Sequence, residues 1–175
     1  GDDLLVSFGY TDIFDDESKE KLNSGLPTTV LMRMSLMPEG GEDPVSFTLR
    51  NTQITYDLWD EVYHVTVKSL GEAPGKQVLE KRKEAIDLAA KVKDHRVDIE
   101  DVPEGTYLLR VRVDRNPLSK AVIKGMKNWL KRPIGSSGRL KPGDSFFGNF
   151  ISFFVNKKMQ KAEATRTFTS QKFKL

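Results

Sequence analysis

The chain has no cysteine. Disulfides, thiolate metal sites and cysteine nucleophiles are excluded together. Only two of its 175 residues are histidine, His64 and His95. They form no H-x-x-x-H or H-E-x-x-H pair, so a zinc hydrolase centre has no support. There is no G-x-S-x-G elbow, no P-loop and no G-x-G-x-x-G turn, so nothing marks a nucleophilic serine, a phosphate cradle or a dinucleotide site. No apolar run approaches the roughly 20 residues needed to cross a bilayer as a helix. Internal repeats and low-complexity tracts are also lacking.

Negative charge is scarce in one half. Residues 106–175 carry 16 Lys and Arg but only three acids, Asp114, Asp144 and Glu163, a net of +13; residues 1–105 carry 12 against 22, a net of −10. Two readings are open. The basic half meets an anionic partner, or the two halves fold against each other and their charges face each other.

What is present is alternation. Leu4, Val6, Phe8 and Tyr10 predict a first strand. Asp15, Asp16 and Glu17, followed by Lys19 and Lys21, suit a short helix within 12–22, ended by Asn23-Ser24-Gly25. Val30, Met32, Met34 and Leu36 predict a strand over 28–37, followed by a turn at 38–41. Val45, Phe47 and Leu49 predict the next, with Ser46, Thr48 and Arg50 opposite. After an expected bend at Asn51 come Ile54, Tyr56 and Leu58, then Tyr63, Val65 and Val67 beyond a turn at Asp60-Glu61. A charged helix is expected over 78–92, on a stripe of Leu79, Ile86, Ala89 and Ala90, with a short strand at 97–99. Residues 106–114 carry the clearest alternation: Tyr107, Leu109, Val111 and Val113 against Arg110 and Arg112. Asn116-Pro117 predicts a helix start, Asn as N-cap, running to about Leu130. Five Phe between 146 and 154 fit a helix face, and 162–174 read as a polar, basic strand.

These elements predict one mainly β domain over 1–175: an antiparallel β-sandwich, immunoglobulin-like or similar, with two or three flanking helices. Residues 144–175 are expected as a Phe-rich, basic C-terminal element packed on it. The alternative architecture is an α+β sheet with helices on one face.

Two groups of residues are candidates for function. Lys120, Lys124, Lys127 and Lys131 recur at helical spacing, with Trp129 among the apolar residues between them. A basic amphipathic helix of this kind suits an anionic membrane surface or an envelope protein; a solvated face over a core has the same pattern. Asp57, Asp60 and Glu61 cluster where two strands meet, which offers a calcium alternative to a simple solvated turn. Nucleic acid is not an expected partner, because the basic residues are not interleaved with aromatics on a sheet platform. No cofactor is expected.

Several segments carry a resemblance: Lys21-Leu22-Asn23-Ser24-Gly25-Leu26-Pro27-Thr28-Thr29, the hairpin 54–67, the helix 79–92, the strand 106–114 and the helix 117–129. In order and character they resemble an exported bacterial family known only as a domain of unknown function. The resemblance implies a β-rich domain in the periplasm or cell envelope, and it brings no catalytic residues. A start at Gly1-Asp2-Asp3 without Met is expected for a chain cut after a signal peptide, and a truncated cytosolic chain would start the same way. The leading expectation is a non-catalytic binding module whose basic half contacts an anionic surface or protein. The alternatives are an adhesion-type domain working through a sheet edge and an enzyme with an unmarked site.

Overall fold

A computed structural model describes residues 2–117 and 162–175. Among them the chain is mainly β, with nine strands and two α-helices: β1 Asp3–Gly9, α1 Asp16–Lys21, β2 Thr28–Pro38, β3 Ser46–Asp57, β4 Val62–Ser69, β5 Gly75–Leu79, α2 Arg82–Ala90, β6 Lys91–Asp98, β7 Thr106–Pro117, β8 Ala162–Thr169 and β9 Phe173–Lys174. Strands β5-β4-β3-β2-β7-β8 form the large sheet, with β9 also on β7, and β1 and β6 form a two-stranded ribbon; all described pairings are antiparallel. The ribbon and the helices pack on one face of the large sheet. The expected mainly β, antiparallel architecture is therefore present as two sheets, one of them small.

Alternation in β2 places its side chains as expected. Val30, Met32, Met34 and Leu36 are buried in the core with Val111, Val113, Ile54 and Val65 of neighbouring strands and with Tyr10, Val92, Val97 and Ala89 of the opposing layer. The other face of β2 is buried as well: Leu31, Arg33, Ser35 and Met37 are all below one-tenth exposed. Strand β3 differs from its sequence reading. It runs unbroken through Asn51, and its apolar side changes face along the way. Registers place Thr48 opposite Met34, Arg50 opposite Met32 and Thr52 opposite Val30, so the polar set Ser46, Thr48, Arg50 and Thr52 lies on the side of the ribbon and helices. Phe47 and Leu49 occupy the other face, and Ile54 returns to the core.

The inward polar set is tolerated because its charged member and the groups around it are hydrogen-bonded. Arg50 donates to the backbone oxygens of Leu88 (2.8 Å) and Lys91 (3.1 Å), and the Tyr10 hydroxyl donates to that of Ala89 at 2.7 Å. The last carbonyls of α2, which the helix cannot bond itself, are thus taken by a buried cation and a phenol. Burial pushes the Tyr10 pKa up to about 12. Thr48 Oγ1 lies 3.0 Å from His95 Nε2.

Other boundaries also move. Val78 and Leu79 leave the expected helix and pair with His64 and Tyr63 as an edge strand, so α2 starts only at Arg82. The short strand at 97–99 becomes β6, eight residues long, because it pairs along the length of β1. Asn116 is not an N-cap. It sits at the end of β7 with φ 46°, accepts from the Thr29 N–H at 2.8 Å and donates to Glu163 at 3.0 Å, and Pro117 still pairs with Ala162 of β8. Helix α1 keeps its expected signals: Asp15 caps it by accepting the Ser18 N–H at 2.8 Å, with Asp16 and Glu17 in its first turn and Lys19 and Lys21 in its last.

His95 gives a pH test. Burial first, and the Arg50 charge second, lower its pKa from 6.5 to about 4. The unfolded chain therefore binds this proton more readily. The resulting stability is full above pH 6.5 and is lost as pH falls toward 4, a change on the order of 2–3 kcal/mol. In urea unfolding between pH 7 and 4, His95→Gln is expected to remove that part of the slope; an unchanged slope contradicts it.

Candidate functional site

Charge is the feature that the sequence singled out, and the described residues show where much of it goes. Six of the basic residues of the C-terminal half lie among them: Arg110, Arg112, Arg115, Arg166, Lys172 and Lys174. Three reach acids of the N-terminal half. Arg115 lies 3.3 Å from Asp15, Arg166 lies 2.7 Å from Asp12, and Lys172 lies 2.6 Å from Glu39. Arg115 also donates to the Ile13 carbonyl at 3.0 Å, which ties β7 to the turn before α1. The Asp15 carboxyl is held at about 2, mainly by its hydrogen bonds from Ser18 and then by Arg115, so it stays anionic.

A fourth cation belongs to a buried cluster. Strand registers put Arg33 of β2 directly opposite Arg112 of β7. Asp114, 1% exposed, lies beside both. It pairs with Arg33, itself 4% exposed, and accepts from Arg112 Nε at 3.2 Å and from the Thr165 hydroxyl at 2.6 Å. Burial is the larger cause of the fall in the Arg33 pKa to about 9, and Arg112 adds to it. Arg110 and Lys174 form no ion pair among the described residues.

Pairing within the chain therefore accounts for much of the described positive charge in the C-terminal half. The expected binding residues Lys120, Lys124, Lys127, Lys131 and Trp129, the body of the helix expected to carry them and the Phe cluster at 146–154 lie outside the described residues. Their segment, 118–161, contains ten Lys and Arg and one acid, a net of +9. The rest of the chain carries 18 Lys and Arg against 24 Asp and Glu, a net of −6.

The acids of the calcium alternative form the tip of the β3–β4 hairpin. Asp57 Oδ1 accepts the N–H groups of Trp59 (2.8 Å) and Asp60 (3.1 Å), and Glu61 takes the left-handed conformation with φ 53°. This is an Asx-type turn, in which the carboxylate serves the backbone. The two backbone hydrogen bonds, from Asp60 and then Trp59, hold the Asp57 carboxyl below its ordinary range. No group of three His, Asp or Glu that could hold a metal ion occurs among the described residues. Asp57, Asp60 and Glu61 are thus brought together in sequence but not as a ligand set.

Sequence reasoning missed what the same turn presents. Trp59 is 95% exposed, Leu58 61% and Leu26 70%. Periodicity cannot find such residues; the available signal was a Leu-Trp pair inside a turn of acids. The two histidines are also placed apart in role: His95 is buried against Thr48, and His64 lies exposed on β4 with Asp57 at 3.9 Å. Among the described residues no helix is long and apolar enough to cross a membrane.

No known family, curated protein or solved structure matches the chain.

A calcium titration checks the hairpin. Millimolar Ca²⁺ is expected to leave the melting temperature unchanged in wild type and in Asp60→Asn. A calcium-dependent rise that the variant loses restores the metal reading.

Proposed function

We propose that the chain is a non-catalytic binding module of the bacterial periplasm or cell envelope, and that its basic C-terminal half contacts an anionic surface or protein. One observation carries this reading. The cations of the C-terminal half that lie in β7, β8 and the segment after β8 are largely paired with acids, whereas 118–161 holds ten cations and a single acid in its own sequence. The excess of positive charge in the sequence is thereby concentrated in one 44-residue stretch, and Lys120, Lys124, Lys127 and Lys131 are its regularly spaced members. Long-range attraction to an anionic surface scales with such excess charge and is screened by salt. The non-catalytic reading is supported by the histidines: one is buried in the core and the other is exposed beside a turn-forming aspartate. The envelope assignment rests on the resemblance to an exported family.

The second reading, contact through a sheet edge, is favoured by β5. Four of its five residues are exposed, and among the described residues it pairs only with β4. Lys76 on this strand and Lys81 just beyond it are the kind of residue that discourages indiscriminate edge pairing, so an edge partner has to be specific.

Co-sedimentation with vesicles tests the first reading. The wild type is expected to bind vesicles containing anionic lipid, not neutral ones, and to dissociate as salt is raised. Each lysine near an anionic surface is worth about 1 kcal/mol. Lys120→Glu, Lys124→Glu and Lys127→Glu together are expected to lower partitioning at least about 100-fold. Absence of wild-type binding to anionic vesicles moves the reading to a protein partner. Equal binding of the triple variant contradicts the role of these lysines.

A further inference from the structure

The β3–β4 hairpin ends in Leu58-Trp59-Asp60-Glu61, and none of these side chains is buried. A tryptophan exposed to 95% forgoes most of the stabilisation that burial of its ring supplies, and tryptophan is among the residues most enriched at binding hot spots. Leu58 lies against the backbone of Gly25: a Cβ built there would sit 3.2 Å from Leu58 Cδ1. Leu26, next in the chain, is itself exposed. Gly25 has φ +78°, so a side chain at that position meets both backbone strain and Leu58. Leu58 and Trp59 therefore make an apolar projection at one end of the large sheet, with the exposed Leu26 one residue along the chain from the Gly25 that Leu58 touches.

The projection is held in place before any partner arrives. Asp57 fixes the amides of Trp59 and Asp60, Glu61 turns the chain back, and Asp57 pairs across the strands with Val62. Just behind it, the rings of Tyr56 and Tyr63 lie 4.7 Å apart, and the Tyr63 hydroxyl donates to Asn23. A backbone already ordered loses little conformational freedom on binding, which favours a docking role over that of a loose loop.

The charges around the projection say what can cover it. Asp57, Asp60 and Glu61 surround Trp59 in the chain, and neither Asp60 nor Glu61 forms an ion pair among the described residues. The nearest opposite group to Asp57 is His64, at 3.9 Å. An anionic lipid surface would bring like charges together and is disfavoured. A symmetric dimer through this tip would gather the same three carboxylates from each copy and is disfavoured for the same reason. A protein segment with an apolar centre and cationic flanks satisfies both components, in the usual arrangement of an apolar anchor with a charged rim.

We propose that the β3–β4 hairpin tip, with Trp59 as anchor and Leu58 and Leu26 beside it, docks a cationic, apolar segment of a partner protein. This surface is separate from 118–161 in the sequence, and it stands or falls independently of the reading above.

The probes are an alternating Lys-Leu peptide, a Glu-Leu peptide of the same length and vesicles containing anionic lipid. Titrations are followed by calorimetry and by the indole N–H resonance of Trp59, assigned through its loss in Trp59→Phe. The Lys-Leu peptide is expected to bind and to shift that resonance. Trp59→Ala is expected to weaken binding at least about 30-fold, the level of a hot-spot residue. Trp59→Phe retains most of the affinity, and the pair Asp60→Lys with Glu61→Lys abolishes the preference for the cationic peptide. All these side chains are exposed, so the variants are expected to melt with the wild type, which separates lost binding from lost folding. The proposal is overturned if the Lys-Leu peptide fails to bind, or binds without moving the Trp59 resonance. Equal binding of the Glu-Leu peptide, or wild-type affinity in Trp59→Ala, also overturns it. A Trp59 shift caused by anionic vesicles makes the tip a membrane contact instead and likewise overturns it.

Discussion

Asp114 is the counter-charge on which the centre of the large sheet depends. Antiparallel pairing of β2 with β7 sets Arg33 opposite Arg112, a like-charge pair that repels when left alone. The carboxylate of Asp114 pairs with Arg33, accepts from Arg112 and takes the Thr165 hydroxyl of β8. It thereby links three adjacent strands through one side chain. A buried charge lacking such partners is expensive, so a one-residue slip of β2 on β7, which turns Arg33 to the opposite face from Asp114, would strand a guanidinium and a carboxylate in the interior. Ionic complementarity penalises such a slip, while the apolar residues buried on β2, Val30, Leu31, Met32, Met34, Leu36 and Met37, supply hydrophobic stabilisation.

That register has an electrostatic consequence at longer range. It carries Arg115 at the end of β7 to the Ile13 carbonyl and Asp15, and it carries Arg166 on β8 to Asp12. Beyond the end of β8, Lys172 meets Glu39. The acidic N-terminal half and the described part of the basic C-terminal half are interleaved by the fold. The charge asymmetry of the sequence is thus divided: four of the six described cations of the C-terminal half, Arg112, Arg115, Arg166 and Lys172, pair with acids of the chain, and the excess of positive charge lies in 118–161. The exposed pairs contribute little each, typically about 1 kcal/mol or less, so their significance is in the distribution of charge.

Much of the fold was legible from alternation. Strands β1, β2, β4 and β7 have an apolar face against one layer, which period-two patterning reports directly, and α1 carries its own cap and charge signals. Strand β3 was misread at Asn51 because it is buried on both faces. Its inward residues are polar, and their partners, His95 and the carbonyls that end α2, are about 40 residues away in sequence. Likewise Val78 and Leu79 look helical locally and become a strand only because β4 supplies an edge. Asn116 carries a helix-start signature, yet its side chain is taken by Thr29, 87 residues earlier. For the site, the acidic turn at 57–61 was visible as a turn, but its exposed tryptophan was not. One apolar residue in a loop has no period to detect.

The most direct test of the role given to Asp114 is a comparison of unfolding free energies for wild type, Asp114→Asn, Arg112→Gln and the double variant. Asparagine keeps the size and removes the charge. The structure predicts a loss of about 3–5 kcal/mol for Asp114→Asn, the range for one partner removed from a buried ion pair. It further predicts that Arg112→Gln costs less when added to Asp114→Asn than when made in wild type, because the carboxylate it would otherwise leave short of a partner is already gone. A loss below about 1 kcal/mol, or strictly additive effects of the two substitutions, would show that the centre of the large sheet does not depend on this carboxylate.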